Sequence, residues 1–156
     1  MPRHTDTRLV LRELPSPDAQ YCDLIVQLDA LMNALYPPEA NQLISPQAMF
    51  SAKSVVLGLY DEQTLCATVG VLSHPGFAEI KRLFVRADYR GRGLAKELMQ
   101  AAMCRAREAG HHELKLETGH LQPDANNLYR QLGFVECERF GDYPDHPASV
   151  FMCCAL

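Results

Sequence analysis

Hydrophobic residues recur along this chain first at every second position, then at every third or fourth, and each change of period marks a new element. Arg8 to Leu14 alternates as a first strand. Ser16-Pro17-Asp18 reads as a helix start, with Ser16 as cap and Pro17 at the first helical position. The helix carries Leu24, Ile25, Leu28, Leu31, Met32 and Leu35 at helical spacing to about Ala34, and Tyr36-Pro37-Pro38 ends it. Ser45-Pro46 repeats the start signal for a shorter helix to about Ala52. Strands are predicted over 54–60 and 64–73, turned by Asp61-Glu62-Gln63, and over 77–85 after His74-Pro75-Gly76. From Gly91 to Ala109 the period is helical again, with Leu94, Leu98, Ala102 and Ala106 on one stripe, Met99 and Met103 beside it, and Gly110 as stop. Glu113 to Glu117 alternates as a strand, Asp124 to Leu132 makes a short helix, and strands at 134–140 and 148–155 close the order β-α-α-β-β-β-α-β-α-β-β. No repeat or linker divides residues 1–156, which makes one domain.

The junction between the third long strand and the central helix, Val85-Arg86-Ala87-Asp88-Tyr89-Arg90-Gly91-Arg92-Gly93-Leu94-Ala95, carries the clearest chemistry. Amides at the start of a helix have no partner within it, and the helix dipole makes them electropositive. Gly91 and Gly93 have no Cβ, so an anion can approach the main chain, while Arg90 and Arg92 add charge. A nucleotide-triphosphate loop would end in Gly-Lys-Ser/Thr, and a dinucleotide fingerprint would need three glycines at G-x-G-x-x-G spacing. Neither pattern is present.

Arg90-Gly91-Arg92-Gly93-Leu94-Ala95 instead resembles the pyrophosphate loop, Arg/Gln-x-x-Gly-x-Gly/Ala, of the GNAT superfamily of acetyl-CoA-dependent N-acyltransferases. Gln122 to Phe134 resembles that family's second signature, Asn-x-x-Ala-x-x-Leu-Tyr-x-x-x-Gly-Phe, through Ala125, Leu128, Tyr129, Gly133 and Phe134. Gln122 stands where the family usually has Asn. Phe77 to Val85 resembles its fourth strand, and the likeness extends over roughly residues 54–140. The resemblance implies an α/β (α+β) GNAT fold, a mixed, mostly antiparallel seven-stranded sheet with four helices on both faces and strands 4 and 5 splayed. It further implies that acetyl-CoA (coenzyme A) binds as co-substrate, its pantetheine arm against the backbone of Leu83, Phe84 and Val85 and its diphosphate on Arg90 to Ala95.

Composition narrows the alternatives. The formal charge of −4 argues against nucleic acid as the main partner, and the chain has no apolar run long enough for a membrane span. Met1 to Asp6 lacks a signal peptide's apolar core, which suggests a cytoplasmic protein. Cys22, Cys66, Cys104, Cys137, Cys153 and Cys154 form no CxxC pair or metal-ligand spacing, so reduced cysteines filling the core and no metal are expected. The apolar tail Val150–Leu156 has two readings, the last strand of the sheet or an edge pairing in a homodimer.

Acyl transfer to an amine needs a base, because free alkylamines with pKa near 10.4 are mostly protonated at neutral pH. It also needs an oxyanion donor and a proton for the departing thiolate. By the resemblance, Tyr129 is the proton donor, and a main-chain N–H near Val85 stabilises the oxyanion. Glu79 is the candidate base, on one face with Lys81, Leu83 and Val85 if the strand alternates regularly; its alternative is an ion pair with Lys81. Glu117, at the end of the next strand and bordering the same gap, is the reserve. The resemblance implies an acceptor pocket formed from Leu35–Glu39, with Tyr36, and from Phe140–Pro147, with Tyr143. Nothing in the Ser, His and Cys pattern suggests a covalent acyl-enzyme, so the expected activity is direct N-acetyl transfer to a primary amine of a small molecule or protein. A noncatalytic acyl-CoA sensor and a transferase for longer acyl groups are the alternatives.

Overall fold

A computed structural model of the chain describes residues 8–51 and 53–156. Met1 to Asp6 and Ala52, on which two of the expectations above fall, lie outside the described residues. The elements in chain order are β1 (Val10–Glu13), α1 (Ala19–Leu35), α2 (Pro46–Met49), β2 (Ser54–Asp61), β3 (Thr64–His74), β4 (Phe77–Val85), α3 (Leu94–Glu108), β5 (Glu113–Gly119), α4 (Pro123–Gln131), β6 (Val135–Glu136) and β7 (Ser149–Ala155). They build the seven-stranded sheet β1-β2-β3-β4-β5-β7-β6, antiparallel except for the β4–β5 pair. The tail Val150–Leu156 therefore lies largely in β7, inside the sheet between β5 and β6.

Local chemistry sets the helix ends. The cap of α1 is Asp18 rather than Ser16: its carboxylate accepts the Tyr21 amide at 2.9 Å, and the helix starts at Ala19, two residues later than the Pro17 start expected from sequence. Ser45 does cap α2, its hydroxyl accepting from the Ala48 amide. α3 starts at Leu94, not Gly91, because Gly91 and Gly93 adopt φ of +77° and +79°, which is left-handed rather than helical. At its other end Gly110 donates to the Arg107 carbonyl and His111 to that of Ala106, a Schellman closure.

The sheet is covered on both faces. On one, Leu94, Leu98, Met99, Ala102, Met103 and Ala106 of α3 and Tyr129 of α4 pack on Ala78, Ile80, Leu114, Leu116 and Met152. On the other, Tyr21, Leu24, Ile25 and Leu28 of α1 and Met49 of α2 pack on Val56, Leu65 and Phe84. Leu31, expected in the α1 stripe, is instead exposed. Of the cysteines, Cys66 and Cys154 are core residues, but Cys104 is exposed because it falls off the buried stripe of α3. The strand expected over 134–140 shrinks to Val135–Glu136, since beyond Cys137 the chain leaves β7 to form an aromatic loop. No helix among the described residues is long and apolar enough to cross a membrane.

Two irregularities in β4 open the sheet. The ladder to β5 holds only Ala78↔Leu114 and Glu79↔Lys115, after which the two strands part. On its other side, β4 bulges against β3: Gly70 pairs with Lys81 but Thr68 with Phe84, and Arg82 in the extra space takes φ of +58°. The bulge overturns the expected regular alternation. Ala78 and Ile80 face α3, as do Leu83 and Val85 beyond the bulge, whereas Phe84 faces α1. Glu79 and Lys81 therefore share a face with each other but not with Leu83 and Val85.

Candidate active site

The parting of β4 and β5 leaves a cleft of about 110 Å³ that passes through the sheet. Ile80, Leu116 and Tyr129 line it from the α3–α4 side, and Lys81, Glu117 and Tyr143 from the other. Tyr36 and Gln122 close one end. Past the fork, Phe84 and Val85 have ladder partners on β3 alone, so backbone toward β5 is left unpaired.

At the mouth, the amides of Gly93, Leu94, Ala95 and Lys96 find no acceptor among the described residues. Among the described residues nothing lies within 4 Å of a Cβ built on Gly91 or Gly93, which leaves the space above the turn open. Leu94 contributes only its amide, since its side chain is buried in the core. The two arginines are anchored rather than loose. Arg90 Nε donates to the Val85 carbonyl at 3.1 Å with its guanidinium over Phe84, and Arg92 donates to the Asp88 carbonyl at 3.3 Å while lying over Tyr89. Both remain exposed and keep unused donors. An open turn with free amides, a helix dipole and two cations fits a diphosphate.

Glu79 and Glu117 are housed differently. Glu79 is 2% exposed, and both its oxygens are occupied: Oε1 by His74 Nε2 at 2.8 Å, Oε2 by the Tyr143 hydroxyl. Lys81 Nζ donates to that same hydroxyl at 2.7 Å and stands 3.6 Å from Glu79 Oε2. Glu117 has no hydrogen-bond partner for its carboxylate among the described residues, yet it lines the cleft. Burial lifts its carboxyl to about 7, with the Lys81 charge opposing and the Glu79 charge adding to the rise.

Tyr129 lines the same cleft, its ring tilted against Phe134 at 5.9 Å and its hydroxyl without a partner among the described residues. Burial first, then the nearby Glu117 charge, pushes its phenol well above the ordinary value, so it keeps its proton at neutral pH. α4 is positioned for this by a buried polar clasp: Thr118 Oγ1 donates to Asn126 Oδ1 at 2.9 Å, and Asn126 Nδ2 donates to the Gly119 carbonyl at 3.0 Å. Tyr129 follows one turn along the same helix face.

Tyr36 is a wall rather than a reactive group. Its hydroxyl donates to Gln122 Oε1 at 3.1 Å and accepts the Leu121 amide at 3.2 Å. Gln122 Oε1 also accepts the Gly119 amide at 3.3 Å, so the Gln at this position ties the β5–α4 corner to the end of α1. The phenol lies so close over Gly119 that any Cβ there would overlap it. Tyr143 forms the opposite wall, in an aromatic cluster with Phe140 and Phe151. Sequence reasoning gave no site role to His74, nor to Lys81 except as an ion-pair partner. The signal for Lys81 was its spacing: two positions past the last β4–β5 pair, it faces Glu117.

The fork, the free helix amides and the cleft through the sheet are the architecture of an acyltransferase of the GNAT type. Residues 21–134 match the sequence profile of the "Acetyltransferase (GNAT) family", and the chain belongs to that family. It is 34% identical over 145 residues to a protein named IAA acetyltransferase from Azospirillum brasilense, covering 92% of this chain and 94% of that one. Among solved structures, it resembles a Klebsiella pneumoniae protein assigned as an acyl-CoA N-acyltransferase, with a TM-score of 0.81 and 27% identity over 97% of this chain and 99% of the other. The PaiA N-acetyltransferase of Thermoplasma acidophilum, solved in complex with coenzyme A, shares the fold at a TM-score of 0.71 and 16% identity, covering 96% of this chain and 99% of that one.

Proposed function

We propose that this protein is an N-acetyltransferase that moves an acetyl group from acetyl-CoA to a primary amine held in the same complex, with Glu117 as general base and Tyr129 as proton donor. One observation carries the assignment: the cleft sets an unpartnered carboxylate on one face of the sheet and an unpartnered, protonated phenol on the other. Family membership and the coenzyme A complex of a protein of the same fold support the choice of co-substrate.

Gly93 to Lys96, with Arg90 and Arg92, hold the diphosphate, and the open backbone of Leu83 to Val85 receives the pantetheine arm. Bound there, acetyl-CoA supplies a thioester carbonyl and a thiol leaving group. Glu117, lifted toward neutrality, accepts the proton that an attacking amine must lose. A free amide of β4 near Val85 offers a donor to the carbonyl oxygen. Tyr129 gives its proton to the sulfur and regains one from solvent. Glu79 is not the base in this reading: its oxygens are already spent on His74 and Tyr143, which leaves it to hold Tyr143 and Lys81 in place.

Initial-velocity kinetics with acetyl-CoA and a panel of amines test the proposal. Intersecting double-reciprocal patterns are expected; a stable acetyl-enzyme with parallel lines would overturn direct transfer. Tight coenzyme A binding with no turnover on any amine or acyl donor would establish a sensor instead.

A further inference from the structure

The transfer site also carries a charge pattern that bears on the acceptor. The last β4–β5 pair is Glu79↔Lys115, and the next positions on that face are Lys81 and Glu117. A cation and an anion thus face each other where the strands have just parted. They do not form an ion pair within 4 Å, although both line the cleft; among the described residues Lys81 pairs only with Glu79. We propose that the acceptor is an amine that also bears a carboxylate, an amino acid taken as its zwitterion across the fork, with Lys81 anchoring the carboxylate and Glu117 receiving the amine. The inference rests on the reading of the fork as the transfer site.

Lys81 is equipped for this. Of the three protons on its ammonium, the Tyr143 hydroxyl accepts one, and its side chain keeps 15% exposure. Glu79 cannot turn to neutralise it further, because His74 and Tyr143 fix both carboxylate oxygens. The other cation on the cleft wall, Arg82, pairs with Asp29 of α1 through Nη2, while its Nε is buried without a hydrogen-bond partner among the described residues. Opposite Glu117, an incoming carboxylate therefore finds in Lys81 a cation with donors to spare, held in place by a phenol. A charge-assisted contact of this kind is about twice as strong as a neutral one.

The shape beyond Lys81 indicates what the amino acid carries. A second chamber of about 500 Å³ shares Lys81 and Tyr143 with the cleft and adds Ile44, Leu72 and Phe140 beside Glu79 and Asp142. Its wall is mixed, and its aliphatic and aromatic members, Ile44, Leu72, Phe140 and Tyr143, offer contact to an apolar side chain.

The test compares L-phenylalanine and L-leucine with their carboxamides, which keep amine and side chain and lose only the negative charge. Titration calorimetry on the full chain, with and without coenzyme A, measures binding independently of turnover, and acetylation assays run alongside. Wild type is expected to favour each acid over its amide by about 30-fold or more, chiefly in KM, since a buried polar anchor discriminates strongly against a ligand that leaves it unpaired. Lys81→Met is expected to bring that ratio to within about threefold, and Lys81→Arg to restore part of it by keeping the charge. Equal use of acid and amide by wild type, or binding of neither, overturns the inference without needing any variant. A ratio unchanged in Lys81→Met also overturns it. An acid bound through Lys81 but never acetylated supports the anchor and instead overturns the transferase reading.

Discussion

On the β4 side of the fork a carboxylate sits among partners, and on the β5 side a carboxylate sits among none. Glu79 meets His74, Tyr143 and Lys81, while Glu117, on the same face of the neighbouring strand, lines the cleft with no hydrogen bond to its oxygens among the described residues. Burial alone does not explain the contrast, since Glu79 is the more deeply buried of the two. The difference is partnership. Hydrogen bonds and cations stabilise a buried anion, whereas burial without them disfavours its charge and raises its affinity for a proton. On the proposed reading, the partnered side provides a scaffold and the unpartnered side the base.

The contrast can be broken from the donor end first. Gly93→Glu puts a carboxylate where a diphosphate is to bind, with open space to receive it, and coenzyme A affinity measured by calorimetry is expected to fall about 1,000-fold or more, or ~4 kcal/mol. Gly93→Asn, which tolerates the left-handed φ and adds no charge, separates backbone strain from repulsion and is expected to lose far less. At the β5 rim, Gly119→Ala drives a methyl into the Tyr36 phenol and displaces the wall that Gln122 and Leu121 hold; thermal or denaturant unfolding is expected to show a loss of about 3 kcal/mol. Tyr129→Phe keeps the packing on Phe134 and removes the proton, so kcat is expected to drop about 10- to 100-fold, or ~1.4 to 3 kcal/mol, with stability nearly intact.

The smallest effect is thermodynamic and carries a sign. The folded-state pKa of Glu117, at about 7, lies above the ordinary carboxyl value, so the folded protein binds its proton more tightly than the unfolded chain does. Wild type therefore loses stability relative to Glu117→Gln as pH rises from about 4.5 to about 7, and keeps that deficit above it. Glu117→Gln is expected to be more stable at pH 8 by about 2 kcal/mol and indistinguishable at pH 4, by denaturant midpoint. For Glu79→Gln the loss of partnered hydrogen bonds predicts the opposite sign at pH 8.

Much of the donor half was legible in the sequence because it is built from local chain. Glycines, arginines and a helix start within a dozen residues mark out the open turn before α3, and the period of apolar positions outlined β2 to α4 closely. The acceptor half was read less well because it depends on long-range register. Glu79 was favoured as base on the assumption of regular alternation, which the Arg82 bulge breaks. Its partners come from positions 5 and 64 residues away, and only the fold brings His74 and Tyr143 together on it. Capping failed for a local reason: Ser16 and Asp18 are both good caps, and Asp18 reaches the Tyr21 amide.

The account turns on which of two carboxylates takes the proton, and side-by-side turnover of Glu117→Gln and Glu79→Gln on one acetylated amine tests it most directly. Glu117→Gln is expected to lose at least about 100-fold in kcat with little change in KM for acetyl-CoA, and to lose the rise in rate with pH through about 7, while Glu79→Gln loses no more than about tenfold and keeps that rise. A larger kcat loss in Glu79→Gln, or wild-type turnover by Glu117→Gln, would contradict it.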